Sequence, residues 1–180
     1  MTELEIIQLC KEGSPLGQKE LVHRYSKVLM GLIFRYNLSI DDSKDVLQDC
    51  FIQVFRKIEI YEPSKGKFKP WIKSIAIKIA LMHLRKKRSL FNNNEAYSNH
   101  IERNTNYQLV DTSLEQQELY AMVLMLPEQQ RIVFNLFAIE GFSHKEISQK
   151  LKIAESYSRT ILTRARTTLK QVFKKKMSVK

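Results

Sequence analysis

The chain has 180 residues, of which 30 are Lys or Arg and 19 are Asp or Glu, so its formal net charge is +11. Such a charge indicates a polyanionic partner first, although a membrane surface or solubility alone would also explain it. Hydrophobic residues make up 43% of the sequence, enough for real cores, and the five glycines and four prolines are too few for a fold rich in β-turns. The composition therefore favours a helical protein of one large or two small domains.

The sequence shows no pattern that directs a chain into a membrane or out of the cell. No apolar run approaches the roughly 20 residues that span a bilayer, and the acidic start of the chain has no signal-peptide pattern. Cys10 and Cys50 both lie at apolar helical positions, which indicates reduced core thiols rather than a disulfide between them. We therefore expect a cytoplasmic protein that inserts into no membrane.

Three amphipathic helices are expected before residue 60. Thr2, with Glu5 three residues later, is a capping box that opens a short helix, and Gly13 ends it. Pro15 begins the second helix. The third helix, over 41–58, has an apolar stripe of helical period and carboxylates crowded into its first half, where the helix dipole favours them. These helices should bury their stripes against one another.

The face of the third helix opposite its apolar stripe is acidic. An acidic face in a chain of net charge +11 indicates contact with a basic surface of another protein. A well-capped, solvated helix explains the same charges about equally well. The candidate contact residues are Asp45, Gln48, Asp49 and Ile52.

A basic and aromatic segment over 61–88 follows the acidic helix. It starts with a turn-rich loop, continues into a fourth helix that Pro70 is expected to begin, and has no acidic residue from Lys65 to Arg88. Exposed aromatic rings among lysines suit single-stranded DNA, because base stacking and backbone charge both contribute to binding. The competing interpretation places Phe68 and Trp71 in the core. The candidate DNA-contact residues are Tyr61, Phe68, Lys69, Lys73, Lys78, Arg85, Lys86 and Arg88.

An asparagine-rich stretch over 91–112 divides the chain. It lacks a sustained period and is therefore predicted to be a flexible linker. The linker would join a helical bundle over 1–90 to a second helical domain over 113–176, which leaves a short tail over 177–180.

The second domain contains a helix-turn-helix pattern. Ser143 and Glu146 form a capping box that opens a short helix, residues 152–154 form a turn, and a longer basic helix follows, with Ile161 and Phe173 expected on its inner side. The second helix of this motif enters the DNA major groove. A helical hairpin with a solvated basic face is the alternative. The outer-face residues expected to contact DNA are Ser156, Arg159, Thr160, Thr163, Arg164 and Arg166.

The order and spacing of these motifs resemble those of the extracytoplasmic-function (ECF) sigma factors of RNA polymerase. The match covers nearly the whole chain outside the asparagine-rich stretch, and the ordered set is far more specific than any single motif. The segments that carry it are DVLQDCF at 45–51, FKPWI at 68–72, LRKKR at 84–88, LPEQQR at 126–131, GFSHKEI at 141–147 and LTRAR at 162–166.

The resemblance implies an all-α fold of two small helical domains, sigma region 2 over 1–90 and sigma region 4 over 113–176. It implies a subunit without catalytic activity, metal or cofactor that binds core RNA polymerase and directs it to promoters. Region 2 would recognise and open the minus-ten element, and region 4 would read the minus-thirty-five element. The implied partners are core RNA polymerase and promoter DNA, both duplex and melted, and the family adds an anti-sigma factor to the candidates.

Individual residues take roles from the same resemblance. The acidic face of the third helix would dock on the clamp helices of the polymerase β′ subunit. The basic segment over 61–88 would contact the minus-ten element and hold a flipped base, and the outer face of the recognition helix would contact the minus-thirty-five element. An apolar surface of the second domain would meet the flap of the β subunit, and its residues are Leu126, Ile132 and Phe137.

The chain departs from the family at positions that bear on DNA readout. Lys152 stands where the helix-turn-helix turn usually has glycine, and Ser158 stands where the recognition helix usually has a branched residue. Ser74, Lys78 and Met82 replace side chains that are usually Arg, Tyr, Asn or Asp in the fourth helix. Promoter specificity therefore does not transfer from the family to this chain.

Two alternative functions remain open. One is a stand-alone helix-turn-helix regulator, but such a protein has no need for an acidic helix beside a basic aromatic segment. The other is a sigma factor whose targeting is partly delegated to a partner, including a nucleic-acid-guided protein. An enzyme is not indicated, because the four histidines are scattered without metal-type spacing and no phosphate loop or nucleophile motif is found.

Overall fold

The computed structural model describes residues 1–36, 38–91 and 114–177. The chain divides into two compact units, Met1–Tyr107 and Gln108–Lys180, and helices are the only regular secondary structure in the described ranges. The all-α fold of two helical domains is therefore confirmed. The predicted linker over 91–112 lies outside the described residues apart from its first position.

The described part of the first unit consists of four α-helices with short connections. Both start signals predicted near the N-terminus are found, because Thr2 and Glu5 form the capping box of the first helix and Pro15 is the first residue of the second. The elements are α1 (Glu3–Lys11), α2 (Pro15–Phe34), α3 (Ile40–Lys57) and α4 (Phe68–Phe91), with 3-10 turns at Ile58–Ile60 and Pro63–Lys65.

Helix α4 begins at Phe68, so the prediction that Pro70 begins this helix is wrong. Proline is compatible with the first turn of a helix because the backbone N–H groups there have no intrahelical acceptor. The earlier start places Phe68 at the beginning of the helix, where its side chain is 0% exposed.

The core of the first unit is built from the apolar stripes of its helices. Helices α1 and α2 approach so closely that a Cβ atom added to Gly17 would lie 2.5 Å from the Cβ of Leu9, so the position requires glycine. Cys10 and Cys50 are free and buried, as the sequence indicated. Burial raises the pKa of both thiols, that of Cys50 to about 12, which makes them core residues rather than reactive groups.

The described part of the second unit also contains four α-helices. A buried arginine holds the corner between the first two, because Arg131 is 6% exposed and donates from Nη1 to the carbonyl oxygen of Leu126 at 2.8 Å. The elements are α5 (Leu114–Leu124), α6 (Glu128–Phe134), α7 (His144–Leu151) and α8 (Glu155–Met177), with a π-helical segment over Asn135–Ile139 after α6.

The C-terminal turns of α8 extend beyond the core of the second unit. Phe173 was expected on the inner side of this helix, but its side chain is 53% exposed. The prediction is wrong, because apolar residues continue at helical spacing beyond the part of α8 that packs on the core.

Candidate protein and nucleic-acid interfaces

The acidic face of α3 is formed by side chains that all point to solvent. Asp45, Gln48, Asp49 and Ile52 are exposed, Ile52 to 40%. The opposite stripe of the helix, including Val46, is buried in the core of the first unit. Within the described part of the chain, neither Asp45 nor Asp49 forms an ion pair. The face therefore offers two carboxylates and an apolar side chain to a partner.

Asp42, one turn earlier on α3, has a different role. Its carboxylate lies 3.1 Å from Nε2 of His83 and 2.8 Å from Nζ of Lys87, both on α4. Burial alone would raise the pKa of Asp42, but hydrogen bonds from Lys87 and Ser39 and the charges of Lys87 and His83 lower it to about 2. Asp42 thus joins α3 to α4. This contact was not predicted from the sequence, although the spacing of four residues between His83 and Lys87 indicates that they share a helix face.

The cationic side chains expected at the DNA are distributed along α4. Lys69, Lys78, Arg85 and Lys86 are exposed, and Lys73 is half-buried. The backbone of Arg88 belongs to α4, but its side chain lies outside the described residues. The loop over 62–67 that precedes α4 is exposed at every position. This part of the first unit therefore presents positive charge and an accessible loop to solvent.

The aromatic side chains of the same segment lie largely inside the fold. Tyr61 is 5% exposed and Phe68 is 0% exposed, so the expectation that these two rings are available for base stacking is wrong, and the competing interpretation of Phe68 as a core residue is confirmed. The rings of Tyr61 and Phe68 meet edge to face, with centroids 5.0 Å apart. Phe68 also contacts Tyr25 of α2 at 5.4 Å and Trp71 at 5.3 Å. Such aromatic contacts favour burial over exposure.

Hydrogen bonds from two side chains to backbone carbonyl oxygens fix the loop over 62–67 to the rest of the unit. Lys11, the last residue of α1, donates from Nζ to the carbonyl oxygen of Tyr61 at 2.8 Å. The hydroxyl of Tyr61 donates to the carbonyl oxygen of Gly66 at 2.9 Å. The contact of Lys11 was not predicted, and no local pattern in the sequence indicates it.

The helix-turn-helix predicted in the second unit is present, and its turn accommodates the absent glycine. Ser143 and Glu146 form the expected capping box of α7. Lys152 ends that helix in the left-handed conformation, with φ at 56°, which costs a residue other than glycine about 1–2 kcal/mol. The hydroxyl of Ser148 donates to the carbonyl oxygen of Ile153 at 2.6 Å and so holds the turn closed.

The serine inside the recognition helix has a specific contact. Ser158 is 0% exposed, and its hydroxyl lies 3.0 Å from Nδ1 of His144, the first residue of α7. Burial and the charge of Arg159 lower the pKa of His144, which favours a neutral imidazole in this bond. This contact thus joins the recognition helix to the first residue of α7.

The outer face of α8 is accessible along its whole predicted contact surface. Arg159 forms an ion pair with Glu155 one turn earlier, and Arg166 lies over the ring of Phe137 with its guanidinium carbon 5.9 Å from the centroid. The opposite side of the helix is buried, with Ile161 and Leu162 at 4% and 3% exposure. The exposed residues of the outer face are Ser156, Arg159, Thr160, Thr163, Arg164 and Arg166.

The apolar surface expected to meet a second polymerase site is mostly covered. Leu126 is 2% exposed and Ile132 is 8% exposed, so neither side chain is free to contact a partner, because both fill the core of the second unit. Phe137 is half-buried and stacks on His144, with centroids 4.5 Å apart. The exposed apolar residue at this corner is Met125, at 57%.

The described residues offer neither a metal site nor a membrane-spanning helix. No group of three or more His, Cys, Asp or Glu side chains in the described ranges is arranged to hold a metal ion. None of the helices in those ranges is both long and apolar enough to cross a membrane.

Two family models and a set of known relatives match this chain. The model for sigma-70 region 2 matches residues 21–90, and the model for sigma-70 region 4 matches residues 116–169. The chain is 27% identical over 176 residues to the ECF RNA polymerase sigma-E factor of Haemophilus influenzae, and the alignment covers 92% of each protein. It is 24% identical over 151 residues to the ECF RNA polymerase sigma factor SigM of Bacillus subtilis, and this alignment covers 82% of this chain and 91% of the relative. The chain belongs to the ECF sigma factors.

Solved structures share the fold of this ECF sigma factor. RpoE from Bartonella quintana, in complex with the anti-sigma factor NepR, superposes with a TM-score of 0.57 at 20% identity and covers 87% of this chain and 96% of its own. CnrH, in complex with the cytosolic domain of CnrY, gives a TM-score of 0.52 at 20% identity and covers 94% of this chain and 95% of its own.

Membership of the family establishes the general function. An ECF sigma factor is a transcription initiation factor without catalytic activity of its own, and it binds core RNA polymerase and directs it to promoters. Helix α1 lies before residue 21, where the match to region 2 begins, and the last turns of α8 lie beyond residue 169, where the match to region 4 ends.

Proposed function

We propose that this ECF sigma factor binds its two partners, core polymerase and promoter DNA, through surfaces of opposite charge. Region 2, over 1–90, binds core polymerase through the acidic face of α3, and it binds melted promoter DNA through the basic segment over 61–88. Region 4, over 113–176, reads the upstream element with α8, and the residues over 91–112 link the two. The observation that carries the proposal is the exposed acidic face of α3, whose Asp45 and Asp49 form no ion pair within the described residues, in a chain of net charge +11.

The polymerase contact is supported by the composition of the α3 face. Ile52, at 40% exposure, lies on the same exposed face as Asp45 and Asp49. An apolar centre with charged neighbours is typical of protein interfaces, where the charges set orientation and association rate. A surface complementary to this face is basic and includes an apolar residue that contacts Ile52. We assign this surface to the clamp helices of the polymerase β′ subunit.

Strand opening is assigned to the loop over 62–67 and to the cationic face of α4. Lys69, Lys78, Arg85 and Lys86 are exposed and contribute phosphate contacts that depend on salt rather than on sequence. Tyr61 and Phe68 support this surface from inside. Trp71, which is half-buried, is the ring of the cluster that retains accessible area.

Upstream recognition is assigned to the outer face of α8. The N-terminal half of the helix exposes Thr160, Thr163 and Arg164, and the N-terminal part of the recognition helix meets base edges in helix-turn-helix proteins. Arg159 has to release Glu155 before it contacts DNA, so Glu155 and the DNA compete for the same guanidinium group. Arg166 lies against Phe137 and is positioned to contact phosphate.

The contact with the β flap is assigned to the corner between α5 and α6. Because Leu126 and Ile132 are buried, the partner reaches the exposed side chain of Met125 and the open edge of Phe137. Leu126 and Ile132 then act as the support of this corner, together with the bond from Arg131 to Leu126.

Regulation and location complete the proposal. Relatives of the same fold are known in complex with CnrY and with the anti-sigma factor NepR, and we include an anti-sigma factor among the partners of this chain. The cytoplasm is the proposed compartment, because core polymerase and promoter DNA are found there.

Transcription in vitro tests the proposal directly. Purified chain and core polymerase are incubated with fragmented genomic DNA of the source bacterium, and the 5′ ends of the transcripts are sequenced. We expect discrete start sites preceded by shared minus-ten and minus-thirty-five elements. Tight binding to core polymerase without defined start sites would contradict promoter recognition by this chain and would favour targeting by a partner.

A further inference from the structure

The exposed loop over 62–67 is anchored at both ends through one tyrosine. At its start, the carbonyl oxygen of Tyr61 accepts a hydrogen bond from Nζ of Lys11 at 2.8 Å. Near its end, the carbonyl oxygen of Gly66 accepts a hydrogen bond from the Tyr61 hydroxyl at 2.9 Å. The Tyr61 ring is only 5% exposed, so the side chain that spans the loop is itself fixed by the core.

Helix α1 contacts the supporting cluster at a second point. Glu3, in its first turn, accepts a hydrogen bond from the hydroxyl of Tyr25. The Tyr25 ring meets Phe68, the first residue of α4, edge to face with centroids 5.4 Å apart. The C-terminal end of α1 therefore supports Tyr61, where the loop begins. The N-terminal end of α1 supports, through Tyr25, Phe68, where the loop joins α4.

An anchored loop has an advantage in binding unpaired DNA. Ordering a loop costs about 1–2 kcal/mol per residue in conformational entropy, and a loop already held in its bound geometry avoids much of that cost when a ligand arrives. The loop over 62–67 carries Lys65 and Lys67, and Lys65 is further held by an ion pair with Glu62 at 2.8 Å.

We propose that Lys11 is a positioning residue for promoter opening, because its hydrogen bond to the Tyr61 carbonyl holds the loop over 62–67 in the conformation that captures unpaired bases. The inference rests on the proposed role of this loop in strand opening. Lys11 lies ten residues before the segment that matches sigma-70 region 2, which starts at residue 21, and it acts through the loop rather than by touching DNA.

The test uses the full chain in holoenzyme on a promoter found by the transcription experiment. Lys11→Met removes the donor and keeps the length of the side chain, and Tyr61→Phe removes only the bond to Gly66. Lys19→Met is the matched control, because Lys19 is exposed on α2 and loses the same charge. The measurements are the opening rate from permanganate reactivity of unpaired thymines, the affinity for a single-stranded minus-ten oligonucleotide, and the affinity for core polymerase.

We expect Lys11→Met to slow opening and to weaken oligonucleotide binding about tenfold, the size of one lost charge-assisted hydrogen bond. Core affinity and the unfolding midpoint reported by Trp71 fluorescence should stay at the wild-type values. Tyr61→Phe should give the same pattern, and Lys11→Arg, which keeps a charged donor, should restore opening.

Three results would overturn the inference: wild-type opening by Lys11→Met, an equal loss in Lys19→Met, or a parallel loss of core affinity. The assigned role of the loop itself is checked with Lys65→Ala combined with Lys67→Ala. If that double variant opens promoters normally, the proposed function of the loop fails. If it opens slowly while Lys11→Met opens normally, only the positioning role of Lys11 fails.

Discussion

The carboxylate of Asp42 lies 2.8 Å from Nζ of Lys87, and this ion pair joins the first turn of α3 to the C-terminal half of α4. The pKa of Asp42 is lowered from 3.8 to about 2 in the folded chain. A carboxyl group with a lowered folded-state pKa contributes stability that is fully present above its unfolded pKa and is lost as the pH falls through the folded value. For Asp42 this loss falls between about pH 4 and pH 2.

Asp42→Asn should therefore destabilise region 2 at neutral pH, by on the order of 2 kcal/mol. The reason is that Lys87 and His83 both lose their anionic partner. Urea unfolding followed by the fluorescence of Trp71, the single tryptophan of the sequence, reports on this unit alone. Asp41→Asn is the control, because Asp41 is 93% exposed and lies 3.7 Å from Lys44, and such a pair contributes less than about 1 kcal/mol. Equal effects of the two variants would contradict the assigned role of Asp42.

Reversing the charge of the α3 face should abolish assembly with polymerase. The double variant Asp45→Lys with Asp49→Lys should weaken core binding by on the order of 100-fold, because attraction at the interface becomes repulsion. Its fold should be retained, since both side chains are exposed and unpaired within the described residues.

The control for charge reversal is Glu12→Lys with Glu20→Lys, which changes the net charge by the same amount at the C-cap of α1 and on α2. Affinity is measured by fluorescence anisotropy of labelled chain titrated with core polymerase. Unchanged association of the Asp45 and Asp49 variant, or an equal loss in the control, would count against α3 as the polymerase contact.

Removing arginines from α8 should weaken upstream-element binding in a base-specific way. Arg159→Ala and Arg164→Ala should each cost about 1–3 kcal/mol on the cognate element if the side chain contacts a base edge. The loss should shrink on an element with the contacted base pair changed. Lys170→Ala is the control, because Lys170 is exposed on the same helix but lies C-terminal to both arginines and outside the predicted contact surface. Holoenzyme retention on duplex promoters, measured at fixed salt, decides the matter, and a sequence-independent loss would reduce both arginines to phosphate contacts.

The left-handed residue of the helix-turn-helix offers a stabilising substitution. Lys152→Gly should stabilise region 4 by roughly 1 kcal/mol, because glycine adopts φ at 56° without steric cost. Gln149→Gly, inside α7 and exposed, should destabilise the same region by about 1 kcal/mol. Hydrogen exchange of amides in α7 and α8 reads both effects. Slower exchange in Lys152→Gly and faster exchange in Gln149→Gly are expected, and any other order contradicts the strain at Lys152.

Features with local causes were predictable from the sequence. The capping boxes at Thr2 and Ser143 depend on residues three positions apart, and both are found. The outward residues of α8 follow from helical period alone. The turn at Lys152 needed a left-handed residue in place of glycine, and the departure from the family already marked the position.

Features that depend on distant contacts were not predictable. Lys11 reaches Tyr61 across 50 positions, and Asp42 reaches Lys87 across 45. The rings of Tyr61 and Phe68 lie in a basic segment, yet the fold turns them inward, where they contact each other and Phe68 contacts Tyr25. Composition indicates which side chains a segment has, but only the tertiary contacts decide which of them reach solvent.

The two native thiols have a practical consequence for following promoter opening at the loop over 62–67. Cys10 and Cys50 are 5% and 0% exposed, and the pKa of Cys50 is raised to about 12, so maleimide dyes at neutral pH react with them slowly. A cysteine introduced as Ser64→Cys, at an exposed position, can then carry a single fluorophore in the otherwise wild-type chain. Energy transfer from that dye to labelled promoter DNA would report the opening step in real time.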